Sequence, residues 1–416
     1  MSMDKTFGLL DIDDDSEPIV KNLEADGQHY LDNTEQMSSS LASPVTKKKL
    51  EKNKISLFCC LDSLGNEILS DNALLSLINL KDCSLSKQNI EKLKKIVLKH
   101  KLVFHEYDGK IGRYKGKKML TIRLKDKDSL PKPIRAQQLT RGKEAEIEQQ
   151  IKQMINKDLI ESSRIDFRRI NSLIEAQSHH IPRIQNFLNE AAGKRLYSTF
   201  DLKSGFHQIA LDASSRKLAS FVTHQGIFSY KVMPMGLTGS PDAFQRIMET
   251  VLFGLTNTFV YIDDILTASD NELEHLENIE AILKRIEEND VKISLKKSSF
   301  GLFQINYLGY TIDFHGIKPH KDKILALANK KSPTTAKEVK SFIRAASYFR
   351  RHIANFAHNA KPLYRISNEF KWTNEQVTAF NNIKIALINA ACLKKPDSQG
   401  TYEIHTDAST QGIGAK

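Results

Sequence analysis

Two adjacent carboxylates, Asp263 and Asp264, sit in the middle of an apolar run, Thr258-Phe-Val-Tyr-Ile-Asp-Asp-Ile-Leu-Thr267. Burying charge in such a run costs several kcal/mol unless something cationic compensates. Phe259, Tyr261 and Ile265 alternate with Val260, Ile262 and Leu266, the pattern of a strand or tight hairpin buried on both faces, so the pair falls at or beside a turn. Taken alone, the pair also fits an ordinary turn with two capping aspartates. A third aspartate in a matching setting, Phe200-Asp-Leu-Lys-Ser-Gly-Phe-His-Gln-Ile209, shifts the reading toward chemistry. Aspartates converging from separate strands make a cage for hard divalent ions, because Mg²⁺ prefers oxygen ligands and keeps positions open for phosphate oxygens. The third piece is Val232-Met-Pro-Met-Gly-Leu-Thr-Gly-Ser-Pro-Asp-Ala-Phe-Gln245, a Gly- and Pro-rich turn leading into an amphipathic helix. Such a turn lets backbone amides approach a flat or anionic ligand closely.

These residues need elements to hold them. Leu273, Leu276, Ile279, Ile282, Leu283 and Ile286 form a helical stripe able to cover a sheet. Upstream, Ile90, Leu93, Ile96 and Val97 recur at helical spacing with Ser86 as N-cap. A basic, Pro-containing approach (Pro131, Pro133, Arg135) precedes a helix expected at about 142–160, with Ile147, Ile151, Ile155 and Leu159 on one face. His179 and His180 are neighbours whose side chains point apart, which suits a surface pair, and Ile184, Phe187 and Leu188 continue in helical rhythm. Lys296 and Lys297 fall in a strand-like segment, and Tyr307-Leu-Gly-Tyr310 reads as a hairpin. Beyond Gly316, Lys337, Lys340, Arg344, Arg350 and Arg351 are interleaved with Phe342, Ile343, Tyr348 and Phe349, so one helical face can pack while the other stays basic. Thr373 caps a further helix, which leads to the alternating run before Asp407.

Charge is unevenly spread. The chain carries +11 at pH 7, yet residues 1–36 hold ten acids against Lys5 and Lys21, which leaves +19 on the remainder. A body that basic suits a polyanion, nucleic acid being the commonest, although a Lys-rich surface also serves solubility alone. Residues 1–54 run from acidic to Ser-rich to Lys-rich with little to bury, the composition of disorder. Cys59, Cys60, Cys83 and Cys392 lack metal-site or disulfide-framework spacing. No run reaches membrane-spanning length and the acidic start is unlike a signal peptide, so an intracellular protein, cytoplasmic or nuclear, with no membrane partner is expected. Lys47-Lys-Lys49 with Lys52 and Lys54 fits either a nuclear import patch or solvated linker. In Asp62-Ser-Leu-Gly65 an intervening Leu breaks the order of an aspartic-protease signature, which excludes that activity.

Taken in order, the Asp201, Met233-to-Gln245 and Asp263-Asp264 segments resemble the palm of reverse transcriptases of gypsy-type LTR retrotransposon Pol polyproteins. The resemblance continues through Ser294-Leu-Lys-Lys-Ser-Ser-Phe-Gly301, Tyr307-Leu-Gly-Tyr310 and Gly316-Ile-Lys-Pro319 toward the end of the chain. It implies an α+β right-hand polymerase fold of fingers, palm and thumb, with a truncated RNase H-like segment at the C-terminus. The implied divisions are a mostly disordered tail at 1–80, a linker at 81–133, fingers and palm at 134–315, thumb and connection at 316–370, and the start of RNase H at 371–416.

The same resemblance implies RNA-directed DNA synthesis on an RNA/DNA primer-template from dNTPs. Asp201 and Asp263 would bind two Mg²⁺, with Mn²⁺ as substitute, and Asp264 would be the adjacent carboxylate. Phe206 occupies the place of an aromatic residue that abuts the nucleotide sugar, and it also fits a core phenylalanine. Met235, Gly236 and Gln245 fall in the segment that lines the nucleotide and template base. Lys296, Lys297, Tyr307, Gly309, Arg344, Arg350 and Arg351 would meet nucleic acid. Asp407 would be the first metal-binding carboxylate of RNase H, and strand cleavage by this polypeptide alone is not expected, because the other ligands are missing. Oligomeric state is not indicated.

At Ser162-Ser-Arg-Ile-Asp-Phe-Arg-Arg-Ile-Asn171 the sequence departs from the family. Relatives carry a further β-hairpin there, whose Lys and Arg hold the triphosphate; here the flanking segments join near Ser163 and Arg164. Losing such contacts costs orders of magnitude in rate. Arg168, Arg169 and Lys194 remain as nearby cations. A polymerase impaired by this gap and a catalytically inactive relic that only binds nucleic acid both stay open.

Overall fold

In the computed structural model the described residues are 60–61, 67–126, 141–163, 170–175, 182–366, 370–395, 406–409 and 412–415, all within the compact unit Cys59–Lys416. Residues 1–54, the Pro131 to Arg135 approach, Arg168, Arg169 and the His179-His180 pair lie outside them. The chain runs through α1 (Lys87–Lys99), α2 (Arg141–Asn156), β1 (Ile160–Ser163), α3 (Ile184–Ala191), β2 (Leu196–Leu202), β3 (Ser220–Thr223), β4 (Gly226–Tyr230) and α4 (Ser240–Val251). It continues through β5 (Thr258–Tyr261), β6 (Asp264–Ser269), α5 (Glu272–Glu288), β7 (Ile293–Leu302), β8 (Gln304–Tyr307), β9 (Tyr310–Asp313) and β10 (Gly316–Pro319). Four helices follow, α6 (Lys321–Ala328), α7 (Ala336–Ser347), α8 (Phe356–Tyr364) and α9 (Asn374–Ile388), and then the strand pair β11 (Thr406–Ser409) and β12 (Gly412–Ala415).

The central sheet has the order β5-β6-β2-β7, antiparallel throughout. Because side chains alternate along a strand, its two faces bury different sets. Leu196, Phe200, Leu202, Val260 and Ile265 join one core with Leu276, Ile279, Ile282, Leu283 and Ile286 of α5. Each fully buried aliphatic chain there contributes about 2 kcal/mol. Tyr197, Phe259, Leu266 and Ala268 join the other core, which contains the β8-β9-β10 sheet and helices α7 to α9. Leu273, expected on the covered stripe, is instead exposed at the first turn of α5, and Ile155 is exposed near the end of α2. The smaller sheet β1-β4-β3 and Ile151 of α2 make a separate cluster.

The expected linker at 81–133 is not one over its described part. Leu93 and Val97 of α1, with Val103 and Phe104, are buried in the main core against α5 and β7. Residues assigned to the tail also pack, since Leu74 is fully buried. Ser86 starts α1, but its hydroxyl donates to Glu272 Oε2 at 2.7 Å, tying α1 to α5 in place of a local cap. The strongest tie is polar. Lys292 Nζ donates to Asp108 Oδ2 at 2.8 Å and to the Leu102 carbonyl, and both charged side chains are buried. A hydrophobic pattern could not have flagged that pair, so the segment read as connection. Thr373 does start α9, its amide donating to Gln376 Oε1 at 3.1 Å.

Two predictions follow from these buried polar groups. Asp108→Ala leaves Lys292 buried without its counter-charge, and urea unfolding should show a loss of about 3 to 5 kcal/mol. His275 is fully buried between Ser198 Oγ (2.7 Å from Nε2) and Ser269 Oγ (3.1 Å from Nδ1), and desolvation lowers its pKa from 6.5 to about 4. The folded state therefore resists a proton that the unfolded chain accepts, so this stabilisation is complete above pH 6.5 and is lost as pH falls toward 4. Urea midpoints of the wild type and His275→Gln should diverge least at pH 4 and most above pH 6.5, the His275 contribution changing by roughly 3 kcal/mol over that window.

Candidate active site

The hairpin β5–β6 pairs Tyr261 with Asp264 across a two-residue turn, Ile262-Asp263. Ile262 has φ of +52°, a conformation costly for a β-branched residue. Gln245, buried on α4, holds it there: the Ile262 amide donates to Gln245 Oε1 at 2.6 Å, and Gln245 Nε2 donates to the Val260 carbonyl and Glu249 Oε1, each at 2.9 Å. Gln245, expected in the segment that lines the nucleotide, has its amide engaged by the hairpin and by Glu249 of its own helix, so it positions the aspartate turn.

Asp201 on β2 and Asp264 on β6 are partners in register, on the same face of the central sheet. Burial raises the pKa of Asp201, with Lys297 acting the other way. The surrounding protein likewise raises that of Asp264, although its side chain opens to solvent at the cleft mouth, and the Asp201 charge adds to the rise. Lys297 on β7 places Nζ 3.7 Å from Asp201 Oδ1. These three residues line a cleft of about 510 Å³ whose other wall is the β7–β8 corner and β8, with Phe303, Gln304, Asn306 and Tyr307. Asp263, on the turn next to Asp264, is not among the residues lining this cleft; one of its carboxylate oxygens, Oδ1, is buried, 2.5 Å from where a Cβ on Gly205 would stand, with Phe244 Cζ 2.8 Å from the same point. A side chain at 205 would push Asp263 or Phe244 aside.

The other expected residues divide. Phe206 is half-buried, its ring centroid 4.9 Å from that of Phe244. Met235 and Gly236 are exposed on the turn before α4. Asn171, which the sequence did not single out, closes that turn by donating Nδ2 to the Gly236 carbonyl at 2.8 Å and accepting from the Thr238 amide at 3.0 Å. Its only signal was a polar residue ending the Asp166-to-Asn171 segment. Tyr307 is buried, contrary to a simple contact role; its hydroxyl donates to the Asp264 carbonyl at 3.2 Å. Leu308 and Gly309 both take positive φ, the two-residue hairpin geometry that matches strand twist. Tyr348, just past α7, donates its hydroxyl to the Leu308 carbonyl at 2.7 Å. Lys296, Arg344, Arg350 and Arg351 are exposed. Lys194, a remaining cation near the missing hairpin, is ion-paired with Asp270 at 2.6 Å. Asp407 stands on β11, in register with Gly414.

Among the described residues no group of three or more His, Cys, Asp or Glu side chains is arranged to hold an ion alone. Two carboxylates in register, both resisting ionisation in the free chain, still fit Mg²⁺, which takes one or two carboxylates and completes its shell with water and substrate phosphates.

Residues 125–312 match the family model of reverse transcriptase (RNA-dependent DNA polymerase), and residues 372–416 match the RNase H-like domain found in reverse transcriptase. Residues 125–312 thus form a domain of the reverse transcriptase family, and the chain is similar to retrotransposon Pol polyproteins over part of their length. The chain is 34% identical over 256 residues to the Pol polyprotein of transposon 412 from Drosophila melanogaster, covering 60% of this chain and 21% of that protein. It is 31% identical over 270 residues to the Pol polyprotein of transposon gypsy from the same organism, covering 60% and 26%. The chain thus spans less than a third of the length of these relatives. The foamy viral protease-reverse transcriptase in complex with double-stranded DNA has a similar fold, with a TM-score of 0.74 at 20% identity over 84% of this chain and 68% of that one. The chain accordingly shares the α+β polymerase fold of that structure. No helix among its described residues is long and apolar enough to cross a membrane.

Gln245→Ala should free the strained Ile262 turn. We expect a loss of about 2 to 4 kcal/mol in urea unfolding, from two or more buried hydrogen bonds left without partners, and faster amide exchange at Ile262.

Proposed function

We propose that this reverse transcriptase domain extends a primer 3′-hydroxyl with dNTPs on an RNA or DNA template. The carrying observation is the cross-strand Asp201–Asp264 pair with Lys297 in one cleft beside the β8–β9 hairpin. Asp201, Asp263 and Asp264 would hold two Mg²⁺, or Mn²⁺ in their place. Bound there, the ions would supply Lewis-acid activation of the hydroxyl and neutralise charge on the leaving pyrophosphate. The chain's own residues do the rest. Gln245 and Gly205 fix the aspartate turn, Tyr307 holds the Asp264 backbone, and Lys297 offers a cation to phosphate oxygens.

We assign 134–315 to fingers and palm, 316–370 to thumb and connection, and 371–416 to the start of an RNase H-like domain with Asp407 its first acidic ligand. The foamy viral structures were determined with double-stranded DNA or an RNA/DNA hybrid, which supports a primer-template partner here. We assign Met235, Gly236 and Phe206 to contact with the incoming nucleotide, and Lys296, Gly309, Arg344, Arg350 and Arg351 to contact with the duplex backbone.

Primer extension tests the reading. Asp201→Asn and Asp263→Asn should each lower incorporation by about two to three orders of magnitude, while duplex affinity is retained. No incorporation by the wild type above these variants, with either Mg²⁺ or Mn²⁺, removes it. Duplex binding should weaken steeply with salt, and Arg344→Ala should reduce the magnitude of the log–log slope by about one.

A further inference from the structure

The pairing of β2 with β7 is irregular at the place where the site is built. Asp201 pairs with Ser294 and Thr199 with Ser299, so two steps along β2 correspond to five along β7. Leu295 to Ser298, four residues opposite Phe200 alone, form a bulge, and a bulge leaves backbone amides without ladder partners while it re-aims a side chain. The re-aimed side chain is Lys297.

The Lys297–Asp201 pair does not hold itself together. At 3.7 Å, with the lysine side chain 69% exposed, it is worth well under about 1 kcal/mol. The bulge is held from outside by one residue, Glu106, in a segment preceding the 125–312 match. Glu106 Oε2 accepts from the Leu295 amide at 2.9 Å; Oε1 accepts from Ser294 Oγ at 2.7 Å and the Lys296 amide at 3.3 Å. Ser298 Oγ closes the far side by donating to the Ser294 carbonyl at 2.6 Å. Burial works against the Glu106 charge, but these hydrogen bonds outweigh it and keep the carboxyl below its usual range.

We propose that Glu106 is a positioning residue whose carboxylate props the β7 bulge so that Lys297 stands over Asp201 in the cleft. That Lys297 then serves nucleotide binding rests on the polymerase reading; that Glu106 shapes the bulge does not.

Hydrogen exchange on the full chain tests the first half. In Glu106→Ala, amides of residues 293–299 should exchange about tenfold faster or more, with Glu106→Gln intermediate because its one carbonyl oxygen can still accept. Should the alanine variant fail to fold, the glutamine variant carries the comparison. Unchanged exchange overturns the proposal. The second half is read as a split in kinetic constants. Glu106→Ala should raise nucleotide KM about tenfold, the scale of one lost charge-assisted hydrogen bond, with a smaller change in kcat, and should add nothing in a Lys297→Ala background. A penalty undiminished in that background overturns it. A wild type that makes no DNA defeats the polymerase reading instead, and the exchange comparison alone then decides whether Glu106 holds the bulge.

Discussion

Like charges directly opposite each other destabilise an antiparallel pair, and the central sheet places Asp201 against Asp264 in that relation. Much of the neighbouring structure can be understood as the means of tolerating that repulsion. The Asp264 backbone is gripped by Tyr307, the turn before it by Gln245, and Gly205 leaves room for Asp263. Lys297 brings an opposing charge from the adjacent strand. Burial on both faces of the sheet holds the strands in a register that their carboxylates oppose. Such preorganised carboxylates, their pKa values raised by burial, suit a divalent ion that offsets their charge.

What could be read from the sequence was what depends on local pattern. The alternating run at Thr258 to Thr267, the α5 stripe and the Tyr307-to-Tyr310 hairpin all depend on residue types two to four positions apart. The aspartates were visible because charge in an apolar run is costly. Residues acting across long separations were not visible in this way. Gln245 looks like a polar helical residue until its partners at 260 and 262 are known, and Glu106 looks like surface charge until β7 is seen to lack ladder bonds beside it. Segment 81–133 read as linker because an anchor of its described part is an ion pair, Lys292 with Asp108, separated by 184 residues. Tyr307 was recognised as part of the site, but its burial and its bond to Asp264 were set by tertiary packing.

The placement of Lys297 illustrates how a sheet can be precise where it is irregular. A regular β7 would keep each lysine on a face dictated by strand alternation. The extra residues free Lys297 from that constraint; the Leu295 and Lys296 amides exposed as a result find the Glu106 carboxylate, and the Ser294 carbonyl accepts from the Ser298 hydroxyl. The family domain at 125–312 therefore takes part of its geometry from a residue outside it.

The interlocking of α1 with α5 also bears on synthesis. Ser86 and Asn89 bind Glu272, and Asp108 binds Lys292, so partners lie more than 180 residues apart along the chain. During translation the amphipathic α1 segment leaves the ribosome long before the surface that covers it. At about 5 to 20 residues per second it waits on the order of ten seconds or longer with Leu93 and Val97 uncovered. Nascent chains of this protein thus pass through a window in which that helix has no native core to cover it.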